Sequence, residues 1–424
     1  MGVLAQRKHI SLGLWVVLAA GLVASLTMVL IGFRAQGFVS NAGDPYHYSE
    51  IAHGFVEHGF DKVTRRAAML YPHLLWGVYA LGGNDIVVQG LHILMHMGSC
   101  ALAFVIGRHL YNERTGLIAG LIVAFHPMLL RYVADLHTET LLAFLYTLTV
   151  WFAIRFYDAP SVRNGIWLGA IGMLGAIAKG VFLPFLVVYG VVWFVRGLRQ
   201  RGSGKANPIP GVIAIAITMI VVVTPWTYRN YVVSKGKFVL LTPGSQDAFL
   251  RGYIFTRLEF ATLQKPPYTD AENESNALFR RIAAESGTEW ERDEIQDDVN
   301  NSREVKRMVT EHPLDTVRKV VVGLFTFWYE MTSLRNSLIP AVLAVVCWAL
   351  AFVGFKRARD EQRPSWLLWL PIVVLNVFVA TLVPLGRYSV PALPCLAVLA
   401  AYGVDTLVRH WTARSTTTAS AMSS

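Results

Sequence analysis

The sequence predicts an all-α polytopic membrane protein of about ten transmembrane helices, with interfacial helices in its first outer loop and one small helical outer segment. Three observations carry that expectation. Of 424 residues, 54% are hydrophobic and 16% charged, whereas an ordinary soluble domain has about 25% charged residues. The apolar residues gather into ten stretches with a mean hydropathy of +0.44 over the whole chain, several of them near the ~20 residues that cross a hydrocarbon core. The basic residues fall in alternate short loops, the pattern that orients a multi-span chain. In a soluble protein a net charge of +10 would suggest nucleic acid. Here it sits in loops between spans, so no nucleic-acid partner is expected. Cys100, Cys347 and Cys395 lie in apolar stretches without a CxxC spacing, which supports neither a disulfide framework nor a zinc site.

Residues 10–33 form the first span, with Arg7 and Lys8 before it placing the N-terminus in the cytoplasm. At about 24 residues it is longer than the apolar part of a signal peptide, and we read it as retained. The first outer loop, 34–66, contains Gly43-Asp44-Pro45-Tyr46-His47-Tyr48-Ser49-Glu50. Asp accepts from free backbone N–H groups and Pro suits a first turn, so Asp44-Pro45 reads as a helix start. Tyr48, Ile51, Ala52 and Phe55 share one face of that helix, while His47, Glu50, Glu57 and His58 are polar. Such a helix lies on the membrane. Residues 67–82 are apolar, short and aromatic, an interfacial or re-entrant segment.

The other spans are expected at 86–107, 117–130, 141–156, 166–178, 182–195, 210–226, 338–355, 366–383 and 389–408. In this register the inside loops carry Arg108/Arg114, Arg155/Arg163, Arg196/Arg199/Arg201/Lys205 and Lys356/Arg357/Arg359/Arg363. Every short inside loop is basic, and the C-terminus returns to the cytoplasm. The chain then divides into an N-terminal transmembrane catalytic module (1–226), an outer helical segment (227–333), C-terminal transmembrane helices (334–410) and a Ser/Thr/Ala-rich tail (411–424) expected to be disordered. Within the outer segment, 270–311 reads as solvated helix, with Glu291 to Glu294, Asp297, Asp298 and Glu304 as surface charges. Residues 320–331 are aromatic and suit an interface belt.

This topology collects ionisable residues on the outer side. Asp44 and Glu50 lie in the first outer loop, closed by Arg65 and Arg66; Asp135 and Glu139 lie in the second; Lys179 forms the third. Arg229 begins the fourth, and Arg387 and Tyr388 form the last. Acids come from the early loops and cations from the later ones, which suits a phosphate leaving group beside a carboxylate base. Each residue also has a structural reading. Asp44, Asp135 and Glu139 could cap helices, Lys179 could snorkel, and Arg229 and Arg387 could anchor at the interface. His92 and His96, at i and i+4, suit interhelical hydrogen bonds better than a metal, for lack of a third nearby ligand. His126-Pro127 reads as a helix end.

At this point the residues resemble a known group, the GT-C membrane glycosyltransferases that use lipid-phosphate sugar donors, near the bacterial relatives of protein O-mannosyltransferases and of the aminoarabinose transferase. Five segments carry the likeness: 43–48, Ala178-Lys179-Gly180, Thr224-Pro225-Trp226-Thr227-Tyr228-Arg229-Asn230-Tyr231, His312-Pro313 with the aromatic stretch 325–329, and 386–394. The resemblance implies that Asp44 is the catalytic carboxylate, that the second-loop acid is Asp135 or Glu139, and that Lys179, Arg229 and Arg387 bind the donor phosphate. Arg65 and Arg66 are further candidates for the phosphate, with Tyr46, His47 and Tyr388 beside the sugar. A divalent cation, Mg or Mn, bridging Asp44 and Glu139 is chemically plausible. The expected activity is inverting transfer from a polyprenyl-phosphate sugar to a glycan, glycolipid or protein, at the outer face of a bacterial cytoplasmic membrane. A flippase of lipid-linked sugar is the rival reading. It would call for internal repeats and polar residues at mid-membrane, and the sequence has no evident repeat.

Overall fold

In lipid a backbone must satisfy its own N–H and C=O groups, so long apolar runs become helices. The computed structural model describes residues 11–36, 43–59, 70–199, 207–242, 244–257, 267–331 and 333–422; among them there is no strand. The helices are α1 (Leu12–Gln36), α2 (Gly43–His58), α3 (Leu70–Ala80), α4 (Asp85–Leu110), α5 (Glu113–Phe125), α6 (Pro127–Arg131), α7 (Thr138–Asp158), α8 (Val162–Ala178), α9 (Leu183–Arg199) and α10 (Ile209–Val233). They continue as α11 (Ser245–Phe255), α12 (Pro267–Glu285), α13 (Glu294–Glu311), α14 (Pro313–Thr326), α15 (Leu334–Asp360), α16 (Trp366–Ala380) and α17 (Leu393–Met422). Short 3-10 turns, Gly180–Phe182 and Gly386–Ala392, lead into α9 and α17.

The expected spans fall largely on helices, and the one expected at 117–130 is split at His126 between α5 and α6. Among the described residues seven are long and apolar enough to cross a membrane: α1, α4, α7, α9, α10, α15 and α17. The apolar helices α8 and α16 are shorter, and α5 has 13 residues. The protein is a multi-pass membrane protein. Asn84, Asn112 and Ser161 accept from backbone N–H groups at the starts of α4, α5 and α8, which lets the connecting turns be short.

The first half of α17 is the buried centre, with Cys395 to Tyr402 enclosed. It meets α15 closely: a Cβ on Gly403 would lie 2.0 Å from the Leu350 carbonyl oxygen. Small residues permit such backbone contact between membrane helices. Just beyond this stretch of α17, the buried Asp405 accepts from Asn112 at 3.1 Å and pairs with Arg409 at 2.9 Å and Arg114 at 3.6 Å. Tyr146 Oη donates to the Pro371 carbonyl at 2.6 Å, joining α7 to α16. The turn at 386–392 leads directly into α17.

Several expectations change. The surface reading of Asp297 gives way: it is 3% exposed and accepts from the Glu291 N–H at 2.9 Å. In the aromatic stretch Phe325 is exposed, whereas Phe327 and Trp328 are buried. The stretch read as a disordered tail continues α17 to Met422, since extending an existing helix avoids the cost of nucleation. His92 Nε2 meets Tyr71 Oη at 3.0 Å and His96 Nε2 meets the Ala124 carbonyl at 3.4 Å, which are interhelical hydrogen bonds. α5 ends at Phe125 and α6 starts at Pro127, so His126 marks a helix end. Arg7, Lys8, Arg65, Arg66, Arg201 and Lys205 lie outside the described residues.

Lys319 of α14 is fully buried. Its Nζ donates to the Phe249 carbonyl at 2.6 Å and lies 3.3 Å from the centre of the Phe249 ring. Burial pushes its pKa down to about 7. Between that value and the ordinary ~10.4 of lysine, the unfolded chain binds the extra proton, so stability rises with pH across this window and is lowest below about 7. Lys319→Met is expected to flatten that rise. Thermal melting of both proteins from pH 6 to 10 checks it, and parallel pH profiles would remove Lys319 as the cause.

Candidate active site

Four separate parts of the chain meet on one side of the helical bundle. The first turn of α2 supplies Asp44, and the turn between α6 and α7 supplies Asp135 and His137. The first turn of α7 carries Glu139, the end of α8 carries Lys179, and the turn before α17 carries Arg387 and Tyr388. Arg387 Nη1 donates to Asp44 Oδ2 at 2.6 Å, and its Nη2 donates to Tyr388 Oη at 3.2 Å. Lys179 Nζ lies 3.5 Å from Glu139 Oε1 and 4.2 Å from the centre of the Tyr388 ring. Tyr388 therefore separates two cations, each of which reaches a carboxylate.

His137 stands between two acids. Its Nε2 is 3.4 Å from Asp135 Oδ2, and its Nδ1 is 3.5 Å from Glu139 Oε2. Thr138 Oγ1 donates to the same Glu139 oxygen at 3.2 Å. Burial alone would lower the imidazole pKa, but hydrogen bonds to Asp135 and Glu139 outweigh it and push it up to about 9. His137 is thus a third cation at neutral pH, lost as pH rises through that value. Asp44 moves the other way. Arg387 beside it holds its pKa below the ordinary value, against burial and the Glu139 charge. It is ionised at neutral pH. Tyr48, on the buried face of α2, is kept protonated chiefly by burial, with the charges of Asp44 and Glu139 adding to the effect.

A cavity of about 130 Å³ opens beside this group, lined by Arg131, Tyr132, His137, Glu330, Leu385 and Arg387 among others. Burial pushes the Glu330 carboxyl up to about 8, so it is largely neutral at pH 7. Its backbone carbonyl accepts from Gly386 N–H at 2.6 Å, tying it to the Arg387 turn.

The structure thus brings together Asp44, Asp135, Glu139, Lys179, Arg387 and Tyr388. Tyr46 is exposed, with its ring 5.8 Å from that of His47, and His47 pairs with Glu50 at 3.6 Å. These contacts run along α2. Arg229 lies over the Trp226 ring at 5.2 Å and donates to Asn230 Oδ1 at 3.1 Å. Arg65 and Arg66 fall outside the described residues. The cap readings of Asp135 and Glu139 lose ground, because His137 occupies the cap of α7 without a side-chain cap bond. His137, Tyr48, Tyr132 and Glu330 were not nominated from sequence. The spacing Asp-x-His-x-Glu at 135–139 was the available signal for His137. Glu330 had none, because its environment depends on the fold of distant turns.

The residues do not fit the bridging cation expected for Asp44 and Glu139. Asp44 is taken by Arg387 and Glu139 by Lys179 and His137. Among the described residues no group of three His, Cys, Asp or Glu side chains is arranged to hold a metal ion.

Residues 66–228 match the family model described as dolichyl-phosphate-mannose-protein mannosyltransferase. That range includes Asp135, His137, Glu139 and Lys179 but neither Asp44 nor Arg387. Archaeal oligosaccharyltransferase AglB from Archaeoglobus fulgidus, in complex with an inhibitory peptide and a dolichol-phosphate, superimposes with a TM-score of 0.57 at 12% identity, covering 94% of this chain and 50% of that one. This chain shares the fold of that protein. The apo form of the Archaeoglobus fulgidus oligosaccharyltransferase gives a TM-score of 0.56 at 11% identity, with coverage of 95% and 51%. The chain therefore spans about half the length of those proteins. ArnT from Cupriavidus metallidurans bound to undecaprenyl phosphate aligns at a TM-score of 0.40 and 16% identity, over 93% of this chain and 78% of that one. No curated protein matches the chain by sequence.

Proposed function

We propose that the protein transfers a sugar from a polyprenyl-phosphate donor to a glycan, glycolipid or protein at the outer face of a bacterial cytoplasmic membrane, with inversion at the anomeric carbon. The observation that carries this reading is the cluster itself. One half-buried carboxylate, Asp44, and two cations, Arg387 and Lys179, lie together in a GT-C fold. Its support from known proteins is the mannosyltransferase family match over 66–228.

In the proposed step, an acceptor hydroxyl oxygen forms a bond to the anomeric carbon while its proton passes to Asp44. The bond from that carbon to the phosphate oxygen breaks, and its electron pair leaves with the polyprenyl phosphate. Arg387 and Lys179 meet the charge that develops there. His137 holds Glu139, which in turn holds Lys179 toward Tyr388. Arg387 has two tasks. Before donor binds it pairs with Asp44, and the arriving phosphate draws it away, leaving Asp44 a better proton acceptor. No step in this scheme runs through a metal.

The test is purified protein in nanodiscs with labelled polyprenyl-phosphate mannose and an envelope extract as acceptor source. Labelled sugar in a new glycosidic bond, of configuration opposite to the donor's, is expected. Donor crossing sealed vesicles with no such bond formed would favour a flippase instead. Absence of both would refute the reading.

A further inference from the structure

α14 joins the outer segment to the membrane bundle, and its two faces differ. Lys319, Gly323 and Thr326 are buried. Opposite them, Leu314, Val317, Val321 and Phe325 follow one another at helical spacing and are between 50% and 83% exposed. Arg318 is the one charged residue on that side, and it lies in the first half of the helix; after Lys319 the helix carries no charge. A soluble surface rarely leaves so continuous an apolar stripe in water.

What meets the stripe follows from what the buried face touches. A Cβ on Gly323 would lie 3.0 Å from the Ala380 carbonyl oxygen and 3.1 Å from Pro384 Cγ. Asn376 Nδ2 donates to the Leu324 carbonyl at 3.2 Å. The second half of α14 therefore runs beside the end of α16. That helix has 15 uncharged residues and a length of ~23 Å at 1.5 Å per residue, short of the ~30 Å hydrocarbon core. The chain stays apolar past Ala380, through Leu382-Val383-Pro384-Leu385. The end of α16 thus lies below the headgroups, and so does the part of α14 packed on it. Val373 and Val377 of α16 are exposed as well, so the apolar surface continues from one helix to the other.

A second observation points the same way. Irregular backbone at membrane depth must be covered by protein, because its N–H and C=O groups meet no water there. Residues 381–385 are such a stretch, between the end of α16 and the turn that opens at Gly386. Val383, Pro384 and Leu385 are nevertheless buried. Gly323 of α14 abuts Pro384, and Gly252 of α11 abuts the Leu382 carbonyl. We propose that the second half of α14 is immersed in the bilayer leaflet beside the outer segment, its stripe against lipid chains and its buried face sealing the backbone that leads to Arg387. Leu314 then lies at the headgroups, and the long Arg318 side chain reaches up to them.

The experiment is spin labelling in nanodiscs of zwitterionic lipid. Val321→Cys, Phe325→Cys and, as a water reference, Arg292→Cys are each made in the full chain carrying Cys100→Ala/Cys347→Ala/Cys395→Ala. Collisions of each label with oxygen and with a polar nickel chelate are then measured. Hydrocarbon excludes the chelate, so its collision rate at 321 and 325 is expected to be about a tenth or less of that at 292, with oxygen at least as frequent. Nickel access at 321 and 325 equal to that at 292 would place the stripe in water and overturn the proposal. Shielding from both reagents would put a second copy or a partner chain on the stripe, and would overturn it too. Hydroxyl-radical footprinting of the parent chain needs no substitution and decides the matter if a variant fails to fold. Phe325 is expected to stay unmodified at a dose that oxidises the half-buried Trp290; oxidation of both in step would refute the insertion. None of these readouts requires sugar transfer, so the insertion and the transfer reading stand or fall separately.

Discussion

Asp44→Asn is expected to lower kcat by about 10²–10⁴, the range a positioned general base contributes, with KM for the donor unchanged or lower. The amide keeps the shape of the carboxylate but cannot take a proton. It also stops competing for Arg387, which now donates to Asp44 at 2.6 Å, so the donor phosphate would meet a freer guanidinium. This split separates the catalytic reading from the structural one. Asn caps helices about as well as Asp, so a residue that only starts α2 would tolerate the change in both stability and turnover. Steady-state kinetics with polyprenyl-phosphate mannose, read beside a thermal melt, distinguish the two. A kcat within about threefold of the parent, well short of the base contribution, would remove Asp44 from the role of base.

The reach of the sequence follows from what sets each feature. Helix positions are governed by apolar length and by caps such as Asn84 and Asn112, which are local, so the expected spans fall largely on helices, with 117–130 split at His126. The expectation that Asp44, Lys179 and Arg387 lie on one side follows from counting spans between basic loops. The pairing of Asp44 with Arg387 does not, because the two lie 343 residues apart and meet only once α17 is packed at the centre. Burial was equally hidden. Nothing local distinguishes Asp297, which is buried, from the exposed Arg292, or shows that Glu330 faces a cavity with Arg387. The competition that an Asp44–Glu139 metal bridge would meet was hidden for a related reason. Sequence showed the acids on one side, but not that Arg387, Lys179 and His137 would satisfy their oxygens.

Arg387→Gln is the second large effect, and its pH behaviour tells more than its size. Removing one preorganised donor to a developing oxyanion costs about 10²–10³ in kcat. The base must be ionised to accept a proton, so the rate falls on the acid side as pH drops through the pKa of Asp44. In the parent that pKa is held down mainly by Arg387; burial and the Glu139 charge oppose it, and His137 assists more weakly. With Arg387 gone, the upward influences prevail, and the acid limb of kcat/KM is expected to move to higher pH. Asp44 would then be a stronger base in the variant, yet the enzyme slower, because the leaving phosphate has lost its partner. Arg387→Lys keeps the charge without the two-pronged geometry that reaches both Asp44 and Tyr388. It should return the limb toward the parent position while recovering only part of kcat. A pH profile of all three proteins separates charge from geometry. An acid limb that stays fixed in Arg387→Gln would mean that Asp44 is not the group titrating, and the shared-arginine scheme would fall with it.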